Sequence, residues 1–126
     1  MAGKIVIDTL QDGSGNSTSA TDAIKGSAKA WVNFDGSTAA IRAGYNVSSV
    51  TKSATGKYTI NFTNALLDTN YSLIAVAKAT YDTSGNALTV CGQYLSQANA
   101  TTSVAMQTKN HTADADANTV YAAIFR

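Results

Sequence analysis

The stretch "SAKAWVNFDG", residues 27–36, alternates its side chains with the two-residue period of a β-strand. Val32 and Phe34 fall on one face of this strand, and Trp31 and Asn33 fall on the other. A strand that packs on a core with one face turns polar side chains to solvent on the other. Trp31, the one tryptophan of the chain, stands where a polar residue is expected. The stretch therefore predicts a strand with both faces covered.

Composition favours strands and turns throughout the chain. Charged residues make up 13% of the 126 residues, and all eight acidic residues are Asp. Glu is a good helix former, whereas Asp, Asn and Ser favour caps and turns. Apolar segments recur at intervals of about 8–12 residues with Gly, Asn and Ser between them, as in sandwiches and barrels. We therefore expect an all-β fold, an antiparallel, jelly-roll-like β-sandwich, with a helical turn only at residues 21–25.

Alternation identifies six more strands after residue 36. They are "AAIRAGYNVSSV" (39–50), "GKYTINFT" (56–63), "NYSLIAVAKAT" (70–80), "LTVCGQYL" (88–95), "TTSVAMQT" (101–108) and "NTVYAAIFR" (118–126). The clearest is residues 56–63, where Tyr58, Ile60 and Phe62 point inward. We expect hairpin turns at "TKSATG", closed by Gly56, and at "DTSGNA" (82–87).

The first 25 residues differ from the rest of the chain. "KIVIDTL" (residues 4–10) predicts a strand, and the polar segment at residues 11–22 predicts a flexible loop. We therefore divide the chain into an N-terminal strand and flexible attachment arm at residues 1–25 and a β-sandwich body at residues 26–126. The strand suits attachment to a partner by strand addition. The alternative is an ordinary edge strand of the same domain.

At least three strands carry large apolar side chains on both faces. The side chains on their second faces are Trp31, Ile74, Val76, Tyr121 and Phe125. A sandwich core covers one face of each sheet, and the chain has little length left to cover the other. We therefore predict that these residues form a subunit interface between copies of the chain. The alternative is that the N-terminal strand folds back over Trp31 within one chain.

The blocks "GSAKAWVNFDG", "AIRAGYNVSSVT", "GKYTINFTNAL" and "VYAAIFR" together resemble a module found near the C-termini of bacteriophage tail-fibre and receptor-binding proteins. The resemblance covers residues 26–71 and the last seven residues, and residues 77–118 correspond to the variable part of the module. It implies a trimeric, β-structured virion component outside the capsid wall. In such proteins the module usually ends a long chain with a shaft, whereas only about 25 residues precede it here.

The expected function is that of a structural protein on the virion surface, made in the host cytoplasm without a secretion signal. We expect a homotrimeric tail-fibre or receptor-binding tip that adsorbs to a host-surface glycan. The alternative is a capsid decoration (cement) protein or a head fibre on the phage head. The arm then attaches to another virion protein, which is a tail or fibre protein in the first case and the major capsid protein in the second. A free lectin-like module is less favoured.

Charge and cysteine content argue against other classes of protein. The net charge is +1 without a run of basic residues, so no nucleic-acid partner is expected. The longest apolar runs are far shorter than the roughly 18 residues of a membrane span, so no membrane insertion is expected. Cys91 is the one cysteine and is interpreted as a small buried thiol. We expect no cofactor.

The sequence predicts no catalytic set. A glycosidase needs two carboxylates about 5–10 Å apart. The candidates Asp35, Asp68 and Asp82 each lie where a turn is expected, and Asp in a turn caps its own backbone. The lone His111 lies in a polar loop, so no Ser-His-Asp triad is expected. We therefore expect a protein that is not an enzyme.

No metal site is expected either. "DADAN" (114–118) matches the first ligand positions of a calcium loop, but Thr119 stands where that loop needs Gly and Phe125 where it needs Glu. We interpret the segment as a solvated turn before the last strand. Three copies of His111 brought together on a trimer axis could also bind a metal. A single His per chain offers no ligand spacing that supports such a site.

Receptor contact is expected on loops of the variable part, because binding residues concentrate on loops of a rigid scaffold. The candidate residues are Tyr81, Asp82, Asn86 and Tyr94. Tyr rings stack on sugars, and Asp and Asn side chains bind hydroxyl groups. The alternative for Tyr81 and Tyr94 is that they pack against each other across two strands.

Overall fold

A computed structural model describes residues 3–78, 90–94, 96–110 and 113–126. These residues are mostly β, with antiparallel pairing throughout and one short helix, which confirms the all-β class. The elements are β1 (Thr9–Gln11), β2 (Ser17–Ser19), α1 (Ala20–Gly26), β3 (Ala28–Phe34), β4 (Ile41–Tyr45), β5 (Val47–Ala54), β6 (Lys57–Phe62), β7 (Ser72–Lys78), β8 (Val90–Gln93), β9 (Ser103–Lys109) and β10 (Thr119–Phe125).

Two four-stranded sheets form a β-sandwich. The first sheet has the order β4-β3-β10-β7, and the second has the order β5-β6-β9-β8. Every second residue of the middle strands points into the space between the two sheets. The alternating stretches therefore supply the core. The largest fully buried side chains are Tyr58, Phe34, Ile60, Met106, Ile124, Val32, Val104, Val120 and Thr108. The rings of Phe34 and Tyr58 meet edge to face across the sheets, with centroids 5.1 Å apart. The finer jelly-roll-like order is not shown by these strand orders.

The segment predicted as one strand at residues 39–50 is two strands, so that prediction was wrong. β4 belongs to the first sheet and β5 to the second. The chain crosses at Asn46, which has a positive φ of 54° that a continuous strand does not contain. The Asn46 side chain holds the crossing, because its Nδ2 donates to the Lys29 and Asn64 carbonyls at 3.0 and 3.1 Å. Its Oδ1 accepts from the Asn64 amide at 2.8 Å.

Other local predictions agree with the structure in part. Tyr58, Ile60 and Phe62 are buried, and Gly56 closes the β5–β6 turn with a φ of 66°. The hairpin expected at residues 82–87 lies outside the described residues, but the strands on either side do not pair. β7 pairs with β10 in the first sheet, whereas β8 pairs with β9 in the second. The described parts of these two strands therefore belong to different sheets.

The N-terminal strand is shorter than predicted and starts later. Residues 4–8 are not in a strand, because β2 ends opposite Thr9 and the chain then turns into α1. The segment predicted as a flexible loop contains β2 and a tight turn. The Asp12 carboxylate organises that turn by accepting from the Ser14 and Asn16 amides, each at 2.9 Å. The expected helical turn is present, with Ser19 as N-cap.

Candidate functional site

The first sheet has one face on the core and one face that points away from it, which we call the open face. Its centre is two rows of side chains, each running across all four strands. The first row is Tyr45, Trp31, Ala123 and Ile74, and the second is Ala43, Asn33, Tyr121 and Val76. The alternation of β3 and β10 forces this arrangement, because their even-numbered residues fill the core.

Large apolar side chains of the open face are uncovered in the single chain. Trp31 is 42% exposed, Tyr121 is 45% exposed and Tyr45 is 60% exposed. Ile74 and Val76 are each 59% exposed. The predicted interface residues of β3, β7 and β10 are therefore brought together on one surface, and the N-terminal strand does not cover Trp31. The last of them, Phe125, follows on the same side of β10 and is half-buried.

The eight side chains in the two rows carry no charge. Charged groups lie outside the two rows, toward one end of the strands. Arg42 pairs there with Asp35 at 2.8 Å, and Lys78 lies opposite Thr119. An apolar, aromatic centre with a polar rim is the arrangement of protein–protein interfaces. Isolated exposed apolar residues are common on soluble proteins, but contiguous patches mark binding surfaces.

The size of the open face suits a protein partner. Strands about 4.8 Å apart with a rise of about 3.4 Å per residue give a face of roughly 19 by 24 Å. A shallow groove of about 370 Å³ runs across its middle, lined by both rows. Each half-exposed aromatic ring adds on the order of 100 Å² of uncovered apolar surface.

Asn33 is the one amide side chain in the two rows, and its position was not singled out from sequence. Its Oδ1 is buried and accepts no hydrogen bond within the described part of the chain. Asn33 lies between Ala43 and Tyr121, in the middle of the second row. The sequence signal for it was only the alternation that also placed Trp31 on this face.

The predicted receptor-binding residues are only partly described. Tyr81, Asp82 and Asn86 lie outside the described residues. Tyr94 follows β8 in the second sheet, so it lies in the sheet that does not carry the open face. The Nζ of Lys57 lies 5.0 Å from the centre of the Tyr94 ring.

An ionic cluster surrounds Tyr94. Asp114 lies 3.2 Å from the Nζ of Lys57 and 3.4 Å from that of Lys109. Contacts with Tyr94 and then Asp114 raise the pKa of Lys57, and hydrogen bonding to Ser96 and then Lys57 lowers the pKa of Tyr94. The cluster presents an aromatic ring beside two cations and a carboxylate, which are groups able to contact a polar ligand.

Of the carboxylates considered for catalysis, Asp35 and Asp68 do not form a pair. Asp35 follows the end of β3 and accepts from the Ser37 and Thr38 amides at 2.8 and 3.2 Å. Asp68 precedes β7 and accepts from the Asn70 amide at 2.8 Å. Both are the backbone-capping Asp residues expected in turns, and they sit at opposite ends of the sandwich. Asp82 lies outside the described residues.

Each of these turn carboxylates also has an ionic partner that the sequence did not reveal. Asp35 pairs with Arg42 at 2.8 Å. Asp68 accepts from the Nε of Arg126 at 2.7 Å, and this contact is the main reason that the pKa of Asp68 is lowered.

The segment at 114–118 is not a solvated turn, so that interpretation was wrong. Asp116 accepts from the Nζ of Lys52 at 2.6 Å, from the Gly56 amide at 2.8 Å and from the Tyr58 hydroxyl at 3.0 Å. This carboxylate ties its segment to β5, to the β5–β6 turn and to β6 at one end of the sandwich. The residue types alone did not reveal it, because its partners are 58–64 residues away.

Two further features concern metals and the thiol. Within the described ranges, no three His, Cys, Asp or Glu side chains are grouped as metal ligands. His111 lies outside those ranges. Cys91 is half-buried against the core, and burial raises its pKa to about 11.

In comparisons with protein-family models, curated proteins and solved structures, nothing matches this chain. Among the described residues, no helix is long and apolar enough to span a membrane.

Proposed function

We propose that this chain is a structural protein of a bacteriophage virion surface and that it assembles as a homotrimer through the open face. The observation that carries the proposal is the uncharged, aromatic centre of that face. An uncharged centre meets a copy of itself without like-charge repulsion, and burial of Trp31, Tyr45 and Tyr121 supplies a hydrophobic driving force. The resemblance of residues 26–71 to a phage fibre module supports the same assembly.

The role that we propose within the virion is a tail-fibre or receptor-binding tip that adsorbs to a host-surface glycan without catalysis. The sandwich is a rigid scaffold from which connections project, and binding residues concentrate on such connections. Of the predicted receptor-binding residues, Tyr94 is the one that the structure describes. It lies beside the second sheet, so a ligand bound there would leave the open face free for assembly.

A capsid decoration protein or head fibre is the second candidate, and the N-terminal arm supplies an attachment segment for either role. Ile5 is 84% exposed and Val6 is 79% exposed, so the arm carries apolar side chains that its own chain does not cover. An extended apolar segment suits strand addition to a partner. In this candidate the partner is the major capsid protein, and in the first it is a tail or fibre protein.

Sedimentation tests the assembly. Wild type is expected to sediment as a trimer at micromolar concentration, and Val76→Lys as a single folded chain. Val76 is on an edge strand and 59% exposed, so a Lys there leaves the fold intact but places three charges in the interface. Thr51→Lys, on the exposed side of β5 in the second sheet, is the matched control and should remain trimeric. A wild-type chain that is monomeric and stable at this concentration would refute the assembly.

Electron microscopy of virions that carry a tagged copy separates the two roles. Label at the tail tip supports the receptor-binding role, whereas label across the head supports the decoration protein. Absence of the protein from purified virions would contradict both.

A further inference from the structure

A second apolar surface lies where α1 meets the sandwich, and none of its residues belongs to the two rows of the open face. A groove of about 440 Å³ opens there, with the buried Leu66 in its wall. Ile24 of α1 and Leu67 of the segment between β6 and β7 also line the groove. Ile24 is 65% exposed and Leu67 is 86% exposed. The single chain therefore leaves two large aliphatic side chains uncovered beside one concavity.

The same groove carries positive charge. Lys25, Lys29 and Arg126 line it, and Arg126 is paired with Asp68. Neither Lys25 nor Lys29 has a carboxylate partner in the described part of the chain. The Lys29 ammonium donates to the Ile24 carbonyl, which is a neutral group and leaves the charge of the ammonium uncompensated.

The distribution of ion pairs singles out this groove. Among the described residues, five of the nine basic side chains have a carboxylate partner. Of the other four, Lys4 and Lys78 lie outside the groove, whereas Lys25 and Lys29 both line it. Uncompensated positive charge and exposed apolar side chains therefore coincide at one place on the molecule.

The helix alone accounts for only part of this arrangement. A Lys in the last turn of a helix interacts favourably with the C-terminal carbonyls, and Lys25 is in the last turn of α1. That interaction does not explain why Ile24 and Leu67 remain exposed beside it. The aliphatic stem of Lys25 adds apolar surface, while its ammonium favours an anionic ligand. The groove is concave and has an apolar wall, so it suits a side chain better than the flat surface of a lipid bilayer.

We propose that this groove binds an acidic peptide segment of a partner protein. One apolar side chain of that segment is seated beside Ile24 and Leu67, and its carboxylates face Lys25 and Lys29. Peptide binding by this groove goes beyond the proposed virion role and does not depend on it. If that role holds, the segment belongs to the virion protein to which the arm attaches, because α1 directly follows the arm strands β1 and β2.

Nuclear magnetic resonance titration of the full chain with three model peptides tests the inference. The peptides are acetyl-DDLLDD-amide, acetyl-NNLLNN-amide, which lacks the charges, and acetyl-DDNNDD-amide, which lacks the apolar side chains. We expect a dissociation constant of about 0.1–1 mM for the first and binding at least about tenfold weaker for the other two. The shifted amides should belong to residues 24–29, 65–67 and 126. Raising the salt from about 50 to about 300 mM should weaken the first complex, because exposed charges are screened.

Two variants assign the binding to the groove. Lys25→Gln and Leu67→Ser should each weaken binding of the first peptide by about 3–10-fold, since both side chains are exposed and their loss leaves the fold intact. The matched controls should bind as the wild type does. Lys78→Gln removes a cation without a carboxylate partner outside the groove, and Ile5→Ser removes an aliphatic side chain that is 84% exposed.

Three results would overturn the inference. They are equal binding of the charged and uncharged peptides, amide shifts confined to other parts of the chain, and binding to phosphatidylcholine–phosphatidylglycerol vesicles without binding to the first peptide. Absence of the protein from purified virions would instead refute the virion role and leave the peptide site standing.

Discussion

Gly56 shows how one residue without a side chain links neighbouring segments at one end of the sandwich. Its φ of 66° lies in the left-handed region. Its amide donates to Asp116 at 2.8 Å, and its carbonyl accepts from the Thr108 amide at 2.8 Å. A Cβ at this position would press on the Thr108 carbonyl and lie 2.8 Å from the Ala115 amide nitrogen. The turn signal in the sequence identified Gly56, but not these packing partners.

Gly56→Ala is therefore expected to lower the free energy of unfolding by about 2 kcal/mol or more, from backbone strain and the forced shift of the neighbouring chain. Urea denaturation measures the change. Gly13→Ala is the matched control, since no atom lies within 4 Å of the added Cβ, and it should change stability by no more than about 0.5 kcal/mol. Equal stability of the two variants would contradict the packing described here.

At the end of the sandwich that contains Gly56, the side chains of Tyr58, Asp116 and Lys52 form a hydrogen-bonded polar cluster. The Tyr58 hydroxyl lies 2.9 Å from the Gly36 carbonyl and 3.0 Å from Asp116. Burial raises the pKa of Tyr58 to about 12 from an ordinary value of 10.0. Burial acts to raise the pKa of Asp116 as well, but hydrogen bonds from Lys52 and Gly56 outweigh it, so that pKa is lowered.

These shifts predict stability limits at both ends of the pH scale. The Tyr58 contribution is complete below pH 10 and is lost as the pH rises toward 12, because the unfolded chain ionises first. The Asp116 contribution is complete above the ordinary pKa of 3.8 and is lost as the pH falls below it. Thermal unfolding across pH should show Tyr58→Phe losing part of the alkaline dependence and Asp116→Asn losing part of the acid dependence. An alkaline limb that Tyr58→Phe leaves unchanged would show that Tyr58 is not responsible.

At the scale of elements, alternation predicted strands well because burial of every second residue is a local property. It could not predict which sheet a strand joins. Asn46 reads as an ordinary outward residue of one strand, yet its positive φ sends the chain from the first sheet to the second. β7 and β8 likewise belong to different sheets, and this assignment depends on long-range packing that the local alternation does not reveal.

The candidate site was predictable to a similar extent. Trp31, Ile74 and Tyr121 were recognised as apolar residues on second faces, and the register of β3, β7 and β10 brings them together. Asn33 was missed because an outward Asn is the normal expectation for a half-buried strand. Only its missing hydrogen-bond partner, which a sequence does not contain, distinguishes it.

At the scale of the whole molecule, the N-terminal elements contact mainly one another and meet the sandwich at one side, where Ile24 of α1 lines a groove with Leu66 and Arg126. β1 and β2 pair with each other and contact α1, whereas the strands of the core begin with β3. The apolar side chains of the arm, such as Ile5 and Val6, are exposed and take no part in the core. The sandwich therefore does not depend on the arm for its own burial.

Deletion of residues 1–26 is accordingly expected to leave a folded sandwich that still assembles. Trp31 reports on this directly, because it is the one tryptophan and is 42% exposed in the single chain. On dilution of either protein, its emission should shift to the red and its quenching by acrylamide should increase, at concentrations that agree within about threefold. The truncated protein should fail to incorporate into virions, since the proposed attachment segment is absent. If truncation abolished assembly but not folding, the arm rather than the open face would join the copies.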